Sequence, residues 1–542
     1  MPVIDSSHCS STPSIPLFDI CVYHAPKEHL AFSAIAIVFV LCLSLKLFAP
    51  KKSQQTRRIP VFGYRSAFEP TLSLTSRFVV NARKMVTEGC SKFRDTPFLL
   101  RRFDSDVMVL PKKYLNELRL APASQLNSAR ALSGSKVYKW TFSSPIVESD
   151  IHQRVLGKKL VSEASKYLDL AKTELEYGWS TDIPITDATD RTLEWKEVDI
   201  SHSVRTLVAR MTSKVMLGSI PCRNEEWINM TTDFPVRMFT TRVLLSLFPA
   251  WSLPVMSQFI PSRYRLKQHF KTAERIIGPL MKSHIEAVQR RSTGAHVEEE
   301  DTLLHSMMDA ATGKENEIAE MAARQCLIAF AGVNTTSNTI ANVLFDLAAH
   351  REWISILLKE IDGTTAELGK MNEQEGAGLK HWLGKLEKLD SFIMESMRIN
   401  PVMLLTSARY ATQPQTMKDG FHIPGGTTVA WPNYFYHHDP STVAEPDVFD
   451  PMRSHRKRHA SSEQMTKHTV GRIDVNNLAF GYGKQACPGR MLAAGQIKAT
   501  VVKFLSEFEF RYPEGKTRPT VCGLNEFSFP DLEAKLLVRL RR

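Results

Sequence analysis

Cysteine is scarce in this chain: eight in 542 residues, at 9, 21, 42, 90, 222, 326, 487 and 522, with no CxxC pair. A disulfide-built scaffold and a structural zinc ribbon are therefore excluded. No GxGxxG fingerprint occurs, so no dinucleotide site is expected. Internal repeats and long low-complexity linkers are also missing. The balance of 69 basic and 57 acidic residues leaves a net charge of +12. Such a balance fits a membrane surface or an acidic protein partner. The basic residues are spread out, with no long tract interleaved with aromatics, which argues against nucleic acid. With 43% hydrophobic and 23% charged residues, wholesale disorder is excluded as well.

One uncharged run stands out. Leu30–Leu45 reads LAFSAIAIVFVLCLSL, and with Lys46 tolerated the apolar stretch reaches Ala49. Roughly 20 helical residues cross a hydrocarbon core of about 30 Å, and a terminal lysine can snorkel to the headgroups. Lys51, Lys52, Arg57 and Arg58 follow the run, whereas Lys27 is the only base before it. Positive charge stays cytosolic, so residues 30–49 are expected to form a single transmembrane anchor. Residues 1–29 become a lumenal disordered tail, and the large domain faces the cytosol. A signal peptide is disfavoured by the missing basic n-region and cleavage site. A buried core helix is the competing reading. Residues 50–63 form a basic, proline-containing hinge, and residues 64–542 the remaining domain.

Within that domain the pattern is mainly α with minor β. Residues 316–350 predict one long helix, and 352–361 and 386–398 two amphipathic ones. Short β-type runs between Gly and Pro in 406–431 predict a small sheet. Polar residues 291–301 and Gly-containing 363–380 are expected to be loops.

Residues 480–489 read Phe-Gly-Tyr-Gly-Lys-Gln-Ala-Cys-Pro-Gly, and a strongly helical pattern begins at Arg490. Cys487 therefore sits before a helix N-terminus, whose dipole and free N–H groups are expected to lower a thiol pKa. Gly481, Gly483 and Gly489 permit positive φ and close approach to a flat ligand. A thiolate held this way is what an axial haem ligand requires. The loop resembles the haem-binding signature F-x-x-G-x-R-x-C-x-G of the cytochromes P-450. Phe480, Gly483, Cys487 and Gly489 match, while Gln485 replaces the usual propionate-binding Arg or His.

Other segments agree with the resemblance. Glu395 and Arg398 stand at i,i+3, and Pro446–Arg453 reads PDVFDPMR. The resemblance implies a buried triad of Glu395, Arg398 and Arg453 with a structural role, because stranding one buried charge is strongly unfavourable. Ala331-Gly332-Val333-Asn334-Thr335-Thr336 lies inside the predicted long helix, like the family's distal oxygen-binding pattern. Thr335 and Asn334 are thereby the candidate catalytic pair, with Asn334 replacing the usual acid. Arg409 is implied to bind a haem propionate. The family's early W-x-x-x-R is not visible, and His152 and Lys158 are candidates to replace it.

The resemblance implies haem b, electrons from NADPH through a separate flavoprotein reductase, and residence in the endoplasmic reticulum membrane. The basic stretch 453–468 is a candidate docking surface for that reductase. The chain looks most like fungal secondary-metabolism members, including relatives of kaurene oxidases. The implied reaction is insertion of an oxygen atom from O2 into a lipophilic small molecule, a terpenoid or meroterpenoid. Phe330, Ala331 and Val402–Leu405 are the candidate apolar pocket. The alternatives are a haem-thiolate isomerase or dehydratase needing no reductase, and a non-enzymatic haem sensor or carrier.

Overall fold

The structure, a computed structural model, describes residues 59–541 apart from 103, 135 and 184–193. The expected tail and anchor, and the hinge up to Arg58, lie outside the described residues. Among the described residues no helix is long and apolar enough to cross a membrane.

Helix dominates, and one helix organises the rest. Ile318–Ala349 contains no proline and is buried on most of its circumference. A helix that is apolar nearly all round belongs in the middle of a core. It packs on helices Ile200–Leu217, Pro261–Ser292, Glu387–Ile399 and Arg490–Glu507. Glu387–Ile399 carries Glu387 and Asp390 in its first turn and Arg398 in its last. That charge order suits the helix dipole. Pro401 follows closely and disfavours continuation. Arg490–Glu507 approaches Ala164–Asp182 so closely at Gly495 that a Cβ there would lie 2.5 Å from Leu168 Cδ1. Only glycine permits that spacing.

Part of the expected loop at 363–380 is helical. The helix from Glu352 runs to Leu368, and Gly376–Lys385 forms another. Glu, Ala and Leu near the end of the first helix outweigh Gly363 and two threonines in propensity, and Thr364 bonds back to Glu360 O at 2.9 Å. The 291–301 segment has no helix or strand beyond Ser292.

The main sheet has six strands, ordered Val61–Phe62, Phe98–Leu100, Val107–Val109, Thr428–Trp431, Thr406–Ala411 and Leu126–Asn127. Two of the expected runs in 406–431 become neighbouring antiparallel strands, with a register shift between Thr406 and Arg409. Ser407 sits in that irregularity with φ +53. Such bulges re-aim the following side chains. A hairpin of Cys522–Leu524 and Phe527–Phe529 lies against residues 402–404, through Leu404 N to Glu526 O (2.8 Å) and Ser528 N to Val402 O (2.9 Å). A third sheet joins Phe508–Arg511, Lys535–Leu540 and Lys196–Asp199.

Candidate active site

The cysteine loop is held by its own backbone. Cys487 N donates to Phe480 O at 2.8 Å, Ala486 N to Gly483 O at 3.1 Å, and Lys484 N to Arg119 O at 2.8 Å. Gly483 has φ +77, and a Cβ there would fall 2.2 Å from Arg119 O. Glycine is therefore required for the approach of the Arg119 backbone. Gly489 has φ −85 and serves as N-cap of Arg490–Glu507. Nothing in its conformation requires glycine, contrary to the expectation from sequence.

Cys487 is the one exposed free cysteine among the described residues, whereas Cys90, Cys222 and Cys326 are buried. Burial nevertheless raises its thiol pKa, opposed by the Gly489 and Arg490 N–H groups and the Arg490 charge. The thiol is thus accessible in part yet closely surrounded by protein, as a side chain at the edge of an internal space would be. The expected lowering of its pKa is thus reversed: desolvation exceeds the helix N-terminus. A coordinating metal deprotonates a thiol outright, so the raised value is no obstacle to ligation.

Across the fold, Ala331 and Thr335 are exposed in mid-helix while Val333 and Thr336 beside them are buried. They are exposed although the helix around them is largely buried. Thr335 Oγ1 donates to Ala331 O at 2.9 Å, and Asn334 Nδ2 to Phe330 O at 3.0 Å. Both side chains thus make a bond one turn back. Phe330 is half-buried and meets Phe234 edge-on, centroids 6.1 Å apart.

Arg409 is buried, donating to Ala408 O at 2.9 Å, Gln485 O at 3.3 Å and Tyr482 O at 3.4 Å. Desolvation lowers its pKa to about 10. No carboxylate among the described residues bonds it. A buried guanidinium without an anion is unfavourable, and a carboxylate of a bound group would complete it. With the accessible thiol, this observation fits a haem whose propionate meets Arg409.

Gln485 does not share that role. Its Oε1 accepts from Ser128 N at 3.0 Å, and its Nε2 donates to Ala121 O at 3.1 Å and Leu126 O at 2.7 Å. Both donors are occupied by backbone, so the expectation of a propionate contact is corrected. His152 and Lys158 do not replace the missing early arginine either. Lys158 is exposed. The His152 pKa is lowered to about 4, first by burial and then by Arg324, whose Nη1 lies 3.4 Å from Nδ1.

Glu395, Arg398 and Arg453 come together. Arg398 grips Glu395 through Nε (2.9 Å) and Nη2 (2.7 Å), and Arg453 Nε lies 3.3 Å from Oε2. Arg398 Nη1 donates to His437 O and Pro446 O, and its Nη2 also to Val448 O. Arg453 Nη1 and Nη2 reach Ala444 O, Glu445 O and Val448 O. Asp450 N completes the carboxylate at 2.9 Å. The His437 ring lies 3.2 Å from Asn476 O, just upstream of Phe480. The triad therefore steadies the approach to the cysteine loop.

The basic stretch 453–468 is less available than its composition implies. Arg453 is held in the triad, Arg456 pairs with Asp450, and Arg458 pairs with Glu387 at 3.2 Å.

A charge chain escaped the sequence reading. One cavity is lined by Arg102, Ala131, Leu132, Met403, Leu405 and Glu526, among others. Arg102 pairs with Glu526 and, at 3.3 Å, with Asp104, and Arg242 reaches Asp104 at 2.5 Å. All lie in segments without a motif, so only folding brings them together. Of the expected pocket stretch Val402–Leu405, Met403 and Leu405 line this cavity, while Phe330 and Ala331 do not; Leu404 and Leu405 both pack in the core beneath.

A mainly helical fold with an accessible cysteine before a long helix, and a buried cation without an anion, is the arrangement that a thiolate-held prosthetic group needs. The cytochrome P450 family matches residues 181–538. Cytochrome P450 monooxygenase ATR4 of Stachybotrys chlorohalonatus is 36% identical, over 93% of this chain and 94% of that protein. An ent-kaurene oxidase of Gibberella intermedia is 33% identical, over 90% and 89%. Retinoic acid bound cyanobacterial CYP120A1 shares the fold, with a TM-score of 0.62 and 16% identity over 86% of this chain and 96% of that one. The chain belongs to the cytochrome P450 family and is a P450 monooxygenase, a class defined by a haem-thiolate cofactor.

Proposed function

We propose that this protein inserts an oxygen atom from O2 into a lipophilic terpenoid or meroterpenoid of fungal secondary metabolism, using haem b ligated by Cys487. When bound, the haem supplies the oxygen-activating chemistry. Cys487 would ligate its iron, steadied by the Phe480 carbonyl and the following helix. Arg409 would neutralise a propionate. The substrate lies along Ala331, Phe330, Met403 and Leu405, whose apolar surfaces suit a hydrocarbon skeleton. Thr335, exposed in mid-helix, retains acceptor capacity on Oγ1 and passes protons. Asn334 carries no titratable proton, so proton delivery rests on Thr335 and water. Electrons come from NADPH through a separate reductase, and residues 30–49 anchor the protein to the endoplasmic reticulum membrane with the catalytic domain in the cytosol. Relatives named as ent-kaurene oxidases support the terpenoid class.

The observation that carries the reading is Cys487, accessible in a loop otherwise locked by backbone bonds. Reduced protein with carbon monoxide should show the red-shifted Soret band of thiolate ligation, and Cys487→Ser should abolish it. An unchanged band in the variant refutes the assignment.

A further inference from the structure

Away from the cysteine loop, two imidazoles and a carboxylate converge where helix Pro261–Ser292 ends and Leu303–Ala310 begins. His305 Nδ1 lies 2.9 Å from Glu300 O. A carbonyl only accepts, so this nitrogen carries the hydrogen, and in the neutral ring Nε2 bears a lone pair. That Nε2 stands 3.6 Å from Glu299 Oε1. His284 Nε2 lies 3.1 Å from Asp309 Oδ1, and its Nδ1 lies 2.9 and 3.0 Å from the Glu299 oxygens. A carboxylate behind one ring nitrogen is the usual outer partner of a metal-bound histidine, directing the other nitrogen's lone pair at the metal.

In that arrangement both imidazole lone pairs face Glu299. The three groups converge on one point at donor-to-donor distances that a small ion can span. A single divalent cation satisfies all three. The three donor atoms lie within 4.8 Å of one another. Tetrahedral zinc with bonds of about 2.0–2.2 Å needs neighbouring donors roughly 3.3 Å apart, and the two contacts with Glu299 Oε1 measure 3.0 and 3.6 Å. The rings stack 4.3 Å apart and nearly parallel. Arg291 binds the other oxygen, Glu299 Oε2, at 2.6 Å, which leaves Oε1 for an ion. A surface hollow lined by His296, Glu298 and Glu300 adjoins the group and offers a fourth ligand or water.

We propose that His284, Glu299 and His305 form a zinc site, with Asp309 and the Glu300 carbonyl as outer partners. Two imidazoles and one carboxylate suit zinc better than calcium or magnesium, which prefer oxygen. The ion would clip the polar 293–302 segment to the two helices flanking it. A second group, Glu387 with His455 and His459, has the same composition. There the helix Arg453–Arg458 is strongly basic, which repels a cation. It serves as an internal control.

The test uses full-length, haem-loaded protein without histidine tags, stripped with chelator and titrated with zinc chloride by calorimetry and elemental analysis. One zinc per chain is expected. His305→Gln should abolish binding, Asp309→Asn should weaken it about 10–100-fold, and His459→Gln should leave it intact. An unchanged Soret band in each variant establishes that the fold persists. Absence of saturable binding, or binding that survives His305→Gln, overturns the proposal. So does binding lost in His459→Gln.

Discussion

Replacing Glu395 by Ala tests the buried triad most directly. The carboxylate accepts from Arg398 Nε and Nη2, Arg453 Nε and Asp450 N, and it is 2% exposed. Alanine leaves two largely buried guanidinium groups without an anion. Breaking a buried pair costs about 3–5 kcal/mol. Both arginines keep carbonyl partners, which places the charge contribution near the lower end. The orphaned Asp450 N–H adds about 1–3 kcal/mol. The expected loss is therefore about 4 kcal/mol, a large share of a stability of about 5–15 kcal/mol. Glu395→Gln keeps the shape and one acceptor oxygen, and should lose roughly half as much. Haem per polypeptide, read as Soret absorbance against protein absorbance, should fall to near zero in the alanine variant and partly in the glutamine variant. Urea unfolding of whatever holoprotein remains gives the energy. Full haem content with a loss below about 1 kcal/mol would refute the assignment of the triad as the support of the cysteine loop.

Gly483→Ala should yield haem-free or insoluble protein, because a Cβ would meet Arg119 O at 2.2 Å; normal haem content would show that the Arg119 approach is dispensable. Thr335→Ala should lower product per NADPH consumed and raise peroxide, whereas coupling equal to wild type would leave Thr335 only its bond to Ala331 O. Acid should destabilise the fold through buried histidines. Desolvation depresses His437 to about 3 and His152 to about 4. Between those values and the unfolded value of about 6.5, the unfolded chain takes up protons that the folded chain refuses. Stability present above pH 6.5 is thus lost as pH falls, by about 1.4 kcal/mol per pH unit for each histidine. His437→Gln should flatten the unfolding midpoint's dependence between pH 6.5 and 4.5, and an unchanged slope would contradict this.

The features legible in the sequence were those carried by long periodic runs or by short motifs. The helix expected at 316–350 occupies Ile318–Ala349, and that expected at 386–398 occupies Glu387–Ile399. Period and uniform apolarity are properties of the local chain, so they survive folding. The strands at 61–62, 98–100, 107–109 and 126–127 escaped because two or three residues show no alternation. The Glu395 triad was visible because its residues stand in recognisable segments. The Arg102–Asp104–Arg242 chain was not, since its partners are joined by topology alone. The Cys487 thiol was misjudged because helix position is readable along the chain, whereas desolvation depends on everything packed around it.

Gln485 has a consequence for protein engineering. An arginine there would resemble a repair toward the family pattern, the kind of consensus substitution that often stabilises proteins. Here it would act in the opposite direction. An arginine could still donate to the Ala121 and Leu126 carbonyls, but it has no acceptor to offer the Ser128 N–H at the start of the helix Ser128–Leu132. The segment that now closes onto the cysteine loop would lose the one bond from that position that holds the start of this helix. Position 485 has become a joint between two backbone segments, and family averages are a poor guide to what belongs there.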